Sequence, residues 1–172
     1  MTFQLPQEGR SDEWYTPPHV FIRLGVTFDL DPCAPEWPRA HWIPAKRRIS
    51  LPDDGLNAAW DGAVWLNPPY SQTHLWVRRL AVHGNGIALV FARTDTQWWH
   101  DLLPAADAVC FVKGRLNFLT RDGADQGNAG SPSALVAFGY SMVAALERAR
   151  LGMVFRCPSE ELAGQMTMWE AA

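Results

Sequence analysis

The sequence predicts one compact α/β domain, residues 1–172, in which a single sheet carries helices on both faces. Short apolar runs alternate along the chain with segments of helical periodicity, which is the pattern of an α/β sheet. Apolar residues make up 48% of the chain and charged residues only 19%, a composition that indicates a globular core. Polar sequences follow two of the apolar runs, and such sheets bind ligands beyond the carboxyl ends of their strands.

The first third of the chain is predicted to contain one helix and few strands. Residues 1–13 are polar and are expected to form a loose N-terminal segment. Pro17-Pro18 before an apolar stretch predicts a short helix ending at Gly25, because proline suits a first helical turn and glycine a helix end. A strand is predicted over 26–30. Residues 35–62 are rich in Pro, Trp and charge, which indicates loop with one or two short strands.

The remainder supplies most of the sheet and three further helices. Apolar runs predict buried strands at 63–66, 86–92, 107–112, 115–119, 134–138 and 153–156. Apolar spacing predicts helices over 75–82, 97–103 and 142–150, the second of them stopped by Pro104. Residues 121–132 are rich in Gly, Asp and Asn, so they are predicted to form a mobile loop.

Cysteine usage, hydropathy and charge narrow the functional classes. Cys33, Cys110 and Cys157 are odd in number and form no CxxC pair, which favours free thiols in a reducing cytosol over a disulfide or zinc framework. We expect a cytoplasmic protein without a signal peptide, a membrane span or a metal site. The net charge of −3 counts against a large sequence-independent DNA footprint. Local cations nevertheless group at Arg39, Lys46, Arg47 and Arg48, at Arg78 and Arg79, and at Lys113 and Arg115.

The most informative stretch is Asn67-Pro68-Pro69-Tyr70, directly after the strand predicted at 63–66. Two prolines prevent the strand from continuing as a ladder or turning at once into a helix, so backbone carbonyls are left open to a ligand. The Asn67 amide oxygen adds an acceptor and Tyr70 an aromatic face. This set suits a planar heterocycle with an exocyclic amino group; a plain Pro-rich loop is the alternative.

Three further motifs precede this loop, and each has an ordinary structural alternative. Thr16, within Tyr15-Thr16-Pro17, is either a carboxylate-binding group at a helix start or a helix N-cap. Asp31-Pro32-Cys33-Ala34 at a strand end is either a ligand-binding loop or a turn. Asp53-Asp54-Gly55-Leu56 either offers a carboxylate to a ligand or forms a turn with exposed carboxylates.

Taken in this order, the motifs resemble the phage DNA N-6-adenine-methyltransferase family, the small Dam-like proteins of phages and prophages. The resemblance covers most of residues 12–138. It is carried by segments 12–17, 28–31, 53–56, Trp60, 64–71, 92–99, 113–118 and 132–136. One departure is that no Gly-rich cofactor loop follows the first strand, so the residue that contacts the ribose is left open, with Glu36 as a candidate.

The resemblance implies a Rossmann-like S-adenosylmethionine-dependent methyltransferase sheet. It also implies methyl transfer from S-adenosyl-L-methionine to N6 of a flipped adenine in DNA, in a phage- or prophage-encoded enzyme. Thr16 would hold the cofactor carboxylate, Asp31 would balance its positive charge, and Asp53 or Asp54 would accept from its adenine amino group. The implied cofactor-binding residues are Tyr15, Thr16, Pro17, Asp31, Pro32, Cys33, Ala34, Asp54 and Asn67.

The implied catalytic residues are Asn67, Pro68, Pro69 and Tyr70. The Asn67 side chain and the Pro68 carbonyl would accept the two N6 hydrogens, so catalysis is orientation and electrostatics without a covalent enzyme intermediate. Tyr70 is the preferred residue for stacking on the base. Phe118, Trp98 and Trp99 are weaker stacking candidates, and at least two of these three are expected to pack in the core.

The DNA-binding candidates are Arg93, Lys113, Arg115 and Phe118. Arg93 either lines the base pocket or contacts phosphate, with a helix-capping turn as the alternative. Any reading of DNA sequence is assigned to the loops 35–50 and 121–132, because no extra recognition domain is evident. The competing functions are methylation of cytosine N4 or of protein glutamine, and an inactive binding relic of the fold.

Overall fold

The computed structural model describes residues 14–157, and the predicted loose segment 1–13 lies outside them. A seven-stranded sheet runs through this part of the chain in the order β2-β1-β3-β4-β8-β5-β9. The strands are β1 (Phe28–Asp31), β2 (Ala45–Arg48), β3 (Val64–Leu66), β4 (Gly86–Phe91), β5 (Ala108–Val112), β8 (Ser133–Phe138) and β9 (Gly152–Arg156). A separate two-stranded sheet pairs β6 (Asn117–Leu119) with β7 (Asp125–Asn128).

The strand directions decide where a site can form. β1 to β4 are mutually parallel, and β8 is antiparallel to both β4 and β5. Consequently β5 runs parallel to β4, and the carboxyl ends of β1, β3, β4 and β5 lie at one edge of the sheet. This is the edge at which open α/β sheets bind ligands.

Helices cover both faces of the sheet, as predicted. The helices are α1 (Pro18–Leu24), α2 (Thr73–His83), α3 (Gln97–Leu102) and α4 (Tyr140–Ala149). Buried side chains of α1 and α4 pack in one apolar cluster with Phe28 and Trp65 of the sheet. Those of α2 and α3 pack on the other face with Leu66 and Val90. All six residues of β4 and of β8 are buried, which is why these strands read as continuous apolar runs.

The predicted Rossmann-like α/β class is confirmed, and the sequence locates most elements within a few residues. The helix at Gln97 ends at Leu102 instead of Leu103, and a 3-10 turn, Leu103–Ala105, carries the chain through Pro104. The prediction that all of 121–132 is a loop is wrong in part, because β7 (Asp125–Asn128) lies within it. Pairing with β6 is possible there because Gly123 and Gly127 adopt positive φ angles of 89° and 78°.

Two kinds of feature are absent from the described part of the chain. No helix between Trp14 and Cys157 has the length and hydropathy to cross a membrane. No group of three or more His, Cys, Asp or Glu side chains in the same range is arranged to hold a metal ion.

Candidate active site

The Asn67–Tyr70 loop is ordered by side-chain hydrogen bonds. The Asn67 Nδ2 atom donates to the Trp14 carbonyl, and Tyr70 Oη donates to Asn67 Oδ1 over 3.2 Å. A 3-10 turn, Tyr70–Gln72, then leads into α2. The two hydrogen bonds fix the Asn67 amide with its nitrogen toward the N-terminal segment and its oxygen toward Tyr70. The loop is therefore a built element and not a loose Pro-rich connection.

Two cavities adjoin this loop, and the larger of them lies on one side of it. It has a volume of about 730 Å³, within the range typical of small-molecule sites. Asn67, Pro68 and Pro69 line it together with the segment after β1 and the Asp53–Leu56 segment. Of the predicted cofactor residues, the wall contains Tyr15, Pro32, Cys33, Ala34, Asp54 and Asn67, and the ribose candidate Glu36 lies there too.

A smaller cavity, of about 240 Å³, lies next to Tyr70. Its wall includes Tyr70, His74, Phe91, Arg93 and Trp98. The Tyr70 ring stacks on Phe91 with centroids 3.7 Å apart and planes 7° apart. Two residues predicted to meet the target base, Tyr70 and Arg93, are thus brought to one pocket.

Gly55 sets the packing of the two loops that wall the larger cavity. A Cβ atom at Gly55 would lie 2.0 Å from the Pro32 carbonyl oxygen, so only glycine allows this approach. The Trp60 indole donates to the Gly55 carbonyl over 2.7 Å, and the Arg79 guanidinium lies 4.9 Å above the Trp60 ring. The loop after β1 lacks the Gly-rich sequence usual at a cofactor site. Here a glycine of another segment, Gly55 of Asp53–Leu56, allows close backbone packing against that loop.

Asp31 ends β1 behind the cavity wall, only 2% exposed. Its Oδ1 accepts a hydrogen bond from the Cys33 N–H over 3.0 Å. Burial raises the pKa of Asp31 to about 7, opposed by that N–H and by the Arg48 charge. Burial, with the nearby Asp31 carboxylate, also raises the pKa of the Cys33 thiol well above its ordinary value. Cys33 is therefore a neutral thiol and not an activated nucleophile.

Thr16 is fully buried and does not belong to the wall of the larger cavity. Pro17 occupies the N-cap position of α1, so the alternative reading of Thr16 as the N-cap is wrong. Trp42 Nε1 donates to the Thr16 carbonyl over 2.9 Å, and the Thr16 hydroxyl has no hydrogen-bond partner among the described residues. Tyr15, by contrast, lines the cavity and pairs through its backbone with Leu119 of β6.

The two neighbouring aspartates of the Asp53–Leu56 segment differ in availability. Asp54 Oδ1 accepts from the Leu56 N–H over 3.0 Å, and its Oδ2 accepts from the Asn57 side chain over 2.6 Å. The Asn57 side-chain hydrogen bond is the main reason that the pKa of Asp54 is lowered. The Asp53 carboxylate lines the cavity and makes no hydrogen bond to another described residue. Asp53 is the better placed of the two to accept from a ligand.

The predicted basic groups separate into two kinds. Arg39 lies 3.7 Å from Asp122, Lys46 2.7 Å from Asp29 and Arg47 2.9 Å from Asp61. Arg48 donates to the carbonyls of Ala40 and Arg39, and Arg79 donates to the Ala58 carbonyl. Arg93, Lys113 and Arg115 are exposed at the carboxyl ends of β4 and β5, and they form no ion pair within residues 14–157.

The three weaker stacking candidates are placed in different environments. Phe118 is 1% exposed and contacts the Phe91 ring edge-on at 6.4 Å, so it supports the pocket from behind and does not line it. Trp99 is buried against α2 and the sheet. Trp98 alone of the three lines the smaller cavity. The expectation that at least two of them pack in the core is confirmed, and Phe118 is not positioned to bind a base.

Two contributors to the site were not predicted. Phe91 is the ring beneath Tyr70, and the Trp14 carbonyl orients Asn67. An aromatic residue at the carboxyl end of a buried strand is the signal that points to Phe91. The Trp14 contact joins residues 53 positions apart, so local sequence gives no sign of it.

Comparison with known families gives one result. The family model described as DNA N-6-adenine-methyltransferase (Dam) matches residues 4–156. No curated protein and no solved structure matches the chain.

Proposed function

The chain belongs to the DNA N-6-adenine-methyltransferase (Dam) family, and from this membership we propose that it transfers a methyl group from S-adenosyl-L-methionine to N6 of an adenine turned out of DNA. One observation carries the proposal. The catalytic loop is shared between two cavities, since Asn67, Pro68 and Pro69 line the larger one and Tyr70 lines the smaller one. Such a division suits a reaction between two ligands that meet at the loop.

The larger cavity suits the cofactor. Its volume fits a ligand of that size, and the Asp53 carboxylate is available to accept from the adenine amino group of the cofactor. Leu51, Pro52 and Leu56 supply apolar surface beside that carboxylate. When bound, S-adenosylmethionine supplies an electrophilic methyl group on a sulfonium centre. The proposed contacts of Asp31 and Thr16 with the cofactor would require movement of neighbouring residues, because both are buried and neither lines the cavity.

The smaller cavity suits the target base. Its volume of about 240 Å³ is below the range of drug-sized ligand pockets, and it is lined by the Tyr70 and Trp98 rings. Turning a base out of a duplex costs a few kcal/mol, which aromatic stacking partly offsets. Phe91, stacked against Tyr70, holds that ring in place and limits the entropy lost when a base binds.

Asn67 and Pro68 orient the reacting amino group in this proposal. Adenine N6 is a poor nucleophile because its lone pair is delocalised into the ring. The Asn67 Oδ1 and Pro68 carbonyl oxygens would accept the two N6 hydrogens and favour the geometry in which nitrogen carries more charge. The hydrogen bond from Asn67 Nδ2 to Trp14 supports this role, since it keeps the amide from turning its nitrogen toward the base.

Product analysis tests the proposed function. The protein is incubated with tritiated S-adenosylmethionine and double-stranded DNA, single-stranded DNA or RNA, and the nucleic acid is digested to nucleosides. We expect label in N6-methyldeoxyadenosine, and little with Asn67→Ala as the matched control. Label in N4-methylcytosine, or in protein and not in DNA, would identify one of the competing reactions. Cofactor binding without any label would favour an inactive relic.

A further inference from the structure

Two arginines stand out in the wall of the larger cavity. Among the described residues lining it, Arg39 and Arg121 are the only cationic side chains. They come from distant parts of the chain, Arg39 from the segment after β1 and Arg121 from the turn between β6 and β7. The Ala40 N–H donates to the Arg121 carbonyl over 2.8 Å, which holds the two segments together.

The two guanidinium groups share one carboxylate at long range. Asp122 lies 3.7 Å from Arg39 Nε and 4.0 Å from Arg121 Nε. Both separations exceed hydrogen-bond length, so the N–H groups are attracted to Asp122 without being satisfied by it. The Asp122 side chain is 72% exposed and is therefore able to move into solvent when another anion arrives.

The β6–β7 hairpin, which carries Arg121 in its turn, is connected to the Asn67–Tyr70 loop through the segment Trp14-Tyr15. Tyr15 pairs through its backbone with Leu119, two residues before Arg121. Trp14, adjacent to Tyr15, holds the Asn67 amide through its carbonyl. Asp53, the candidate acceptor for the cofactor's adenine, comes instead from the segment between β2 and β3. Because the methyl group is attached between the nucleoside and the amino-acid parts of the cofactor, these two parts extend from the catalytic loop to different walls.

We propose that Arg39 and Arg121 bind the carboxylate of the cofactor's amino-acid group. The proposal rests on the proposed function, and it assigns to these residues the role that the sequence suggested for Thr16, whose side chain is fully buried. Guanidinium groups match carboxylates in geometry and form paired, charge-assisted hydrogen bonds with them. Asp122 occupies the same electrostatic position in the free protein and is displaced by the ligand.

Calorimetry with two ligands that differ only in the carboxylate tests this assignment. S-adenosylmethionine and decarboxylated S-adenosylmethionine are titrated, without DNA, into the parent protein and into Arg121→Met, Arg39→Met and Arg78→Met. Arg78 is exposed on α2 and outside the cavity wall, so it is the matched control. Thermal unfolding without ligand reports whether each variant keeps the parental fold.

The expected result is a ligand-specific loss. Hydrogen bonds to charged groups are typically worth ten- to a hundredfold in affinity, so each cavity variant should weaken S-adenosylmethionine by about tenfold or more. Decarboxylated S-adenosylmethionine should bind the parent and these variants equally, and Arg78→Met should change neither affinity. Asp122→Asn should strengthen S-adenosylmethionine binding, because a competing carboxylate is removed.

Several results would overturn the assignment. An equal loss for both ligands would show that the arginines act on the cavity's shape and not on the carboxylate. If the variants bind both ligands as tightly as the parent protein does, the cofactor carboxylate is bound by other residues. Weaker binding in Asp122→Asn would mean that Asp122 itself contacts the ligand. If the parent protein binds neither ligand, the proposed cofactor is wrong together with this inference, whereas parental binding with undiscriminating variants overturns this inference alone.

Discussion

Two halves of the sheet, one formed by β1 and β2 and the other by β4 and β5, carry similar numbers of cations and use them differently. In the half formed by β1 and β2, Arg39, Lys46, Arg47 and Arg48 each contact a carboxylate or a backbone carbonyl. In the half formed by β4 and β5, Arg93, Lys113 and Arg115 form no ion pair with another described residue. The charges of the first set meet partners within the protein, Arg39 only at the 3.7 Å separation from Asp122, whereas those of the second set have no carboxylate partner within residues 14–157.

This difference between the two halves predicts the side from which DNA approaches the protein. The larger cavity, which is proposed to hold the cofactor, lies toward the half in which charge is internally compensated, and the proposed base pocket lies toward the half in which it is not. A DNA backbone is attracted to uncompensated cations, because neutralising phosphates releases counterions. We therefore expect DNA to approach over β4 and β5, with the Asn67–Tyr70 loop at the boundary between the two halves.

The largest effect is expected at that boundary. Asn67→Ala removes the acceptor for the target amino group, and loss of one positioned hydrogen bond in a transition state costs on the order of a hundred- to a thousandfold in rate. S-adenosylhomocysteine affinity should fall far less than the rate, because Asn67 is one of many residues that line the larger cavity and the rest of its wall stays intact. Single-turnover rates and calorimetry measure the two quantities. Asn67→Asp, which keeps an acceptor oxygen, should retain more activity than Asn67→Ala, and equal activity of the two would argue against the acceptor role.

The next effect concerns Asp31 in the β1 half. Its pKa is raised to about 7 by burial, so the folded state holds a proton that the unfolded chain loses near pH 4. The stability present below pH 4 is therefore lost as pH rises toward 7, and between pH 5 and 8 the loss is on the order of 3 kcal/mol. Urea unfolding should show this fall in the parent protein. In Asp31→Asn, which cannot ionise, the free energy of unfolding should not show this fall between pH 5 and 8. An equal fall in both proteins would mean that Asp31 lies in a solvated environment.

Substitutions of Tyr70 probe the proposed base pocket beside β4 without changing the charge of the protein. Stacking of a base on an aromatic side chain is worth about 1–3 kcal/mol, so Tyr70→Ala should weaken DNA binding or turnover by roughly ten- to a hundredfold. Tyr70→Phe should lose little, because it keeps the ring on Phe91 while removing the hydroxyl that donates to Asn67 Oδ1 over 3.2 Å. Fluorescence of a 2-aminopurine target base would follow extrusion directly. Equal damage in the two variants would mean that the hydroxyl, and not the ring, is what matters.

The smallest effects compare the two sets of cations directly. Each phosphate contact contributes about 0.9 to the slope of log affinity against log salt, so Lys113→Met/Arg115→Met should lower that slope by nearly two. Lys46→Met/Arg47→Met removes the same charge from the β2 half and should leave the slope near the parent value. If the second pair changes the slope as much as the first, DNA also follows the β2 half and the proposed direction of approach is wrong.

The sequence predicts the sheet well because burial leaves a local signature. β4 and β8 are buried on both faces and read as uninterrupted apolar runs, and α1 is bounded by Pro17 and Gly25. The strand predicted at 115–119 corresponds to β6, but its partner β7 gives no apolar run, because Asp125–Asn128 contains polar residues and glycine. Its pairing is set by positive-φ glycines and by the contact of Tyr15 with Leu119, and neither is visible as a pattern of hydrophobicity.

The sequence predicts where the candidate site lies, but it does not predict which of its side chains are engaged in contacts within the protein and which are available to a ligand. Asp53 and Asp54 are neighbours of one type, yet Asp54 is committed to Asn57 and Leu56. Arg47 and Lys113 both read as exposed cations, yet only Arg47 meets a carboxylate, that of Asp61. These outcomes depend on contacts between distant parts of the chain, which a single sequence does not contain.

The division of the two ligands by the Asn67–Tyr70 loop is tested most directly by a structure of the protein with S-adenosylhomocysteine and a duplex oligonucleotide. We expect S-adenosylhomocysteine in the larger cavity and one adenine turned out of the duplex into the smaller cavity beside Tyr70. The N6 atom should lie within hydrogen-bond distance of Asn67 Oδ1, and phosphates should lie near Lys113 and Arg115. An adenine that remains stacked in the duplex, or that enters the larger cavity, would contradict the division of the two ligands by the Asn67–Tyr70 loop.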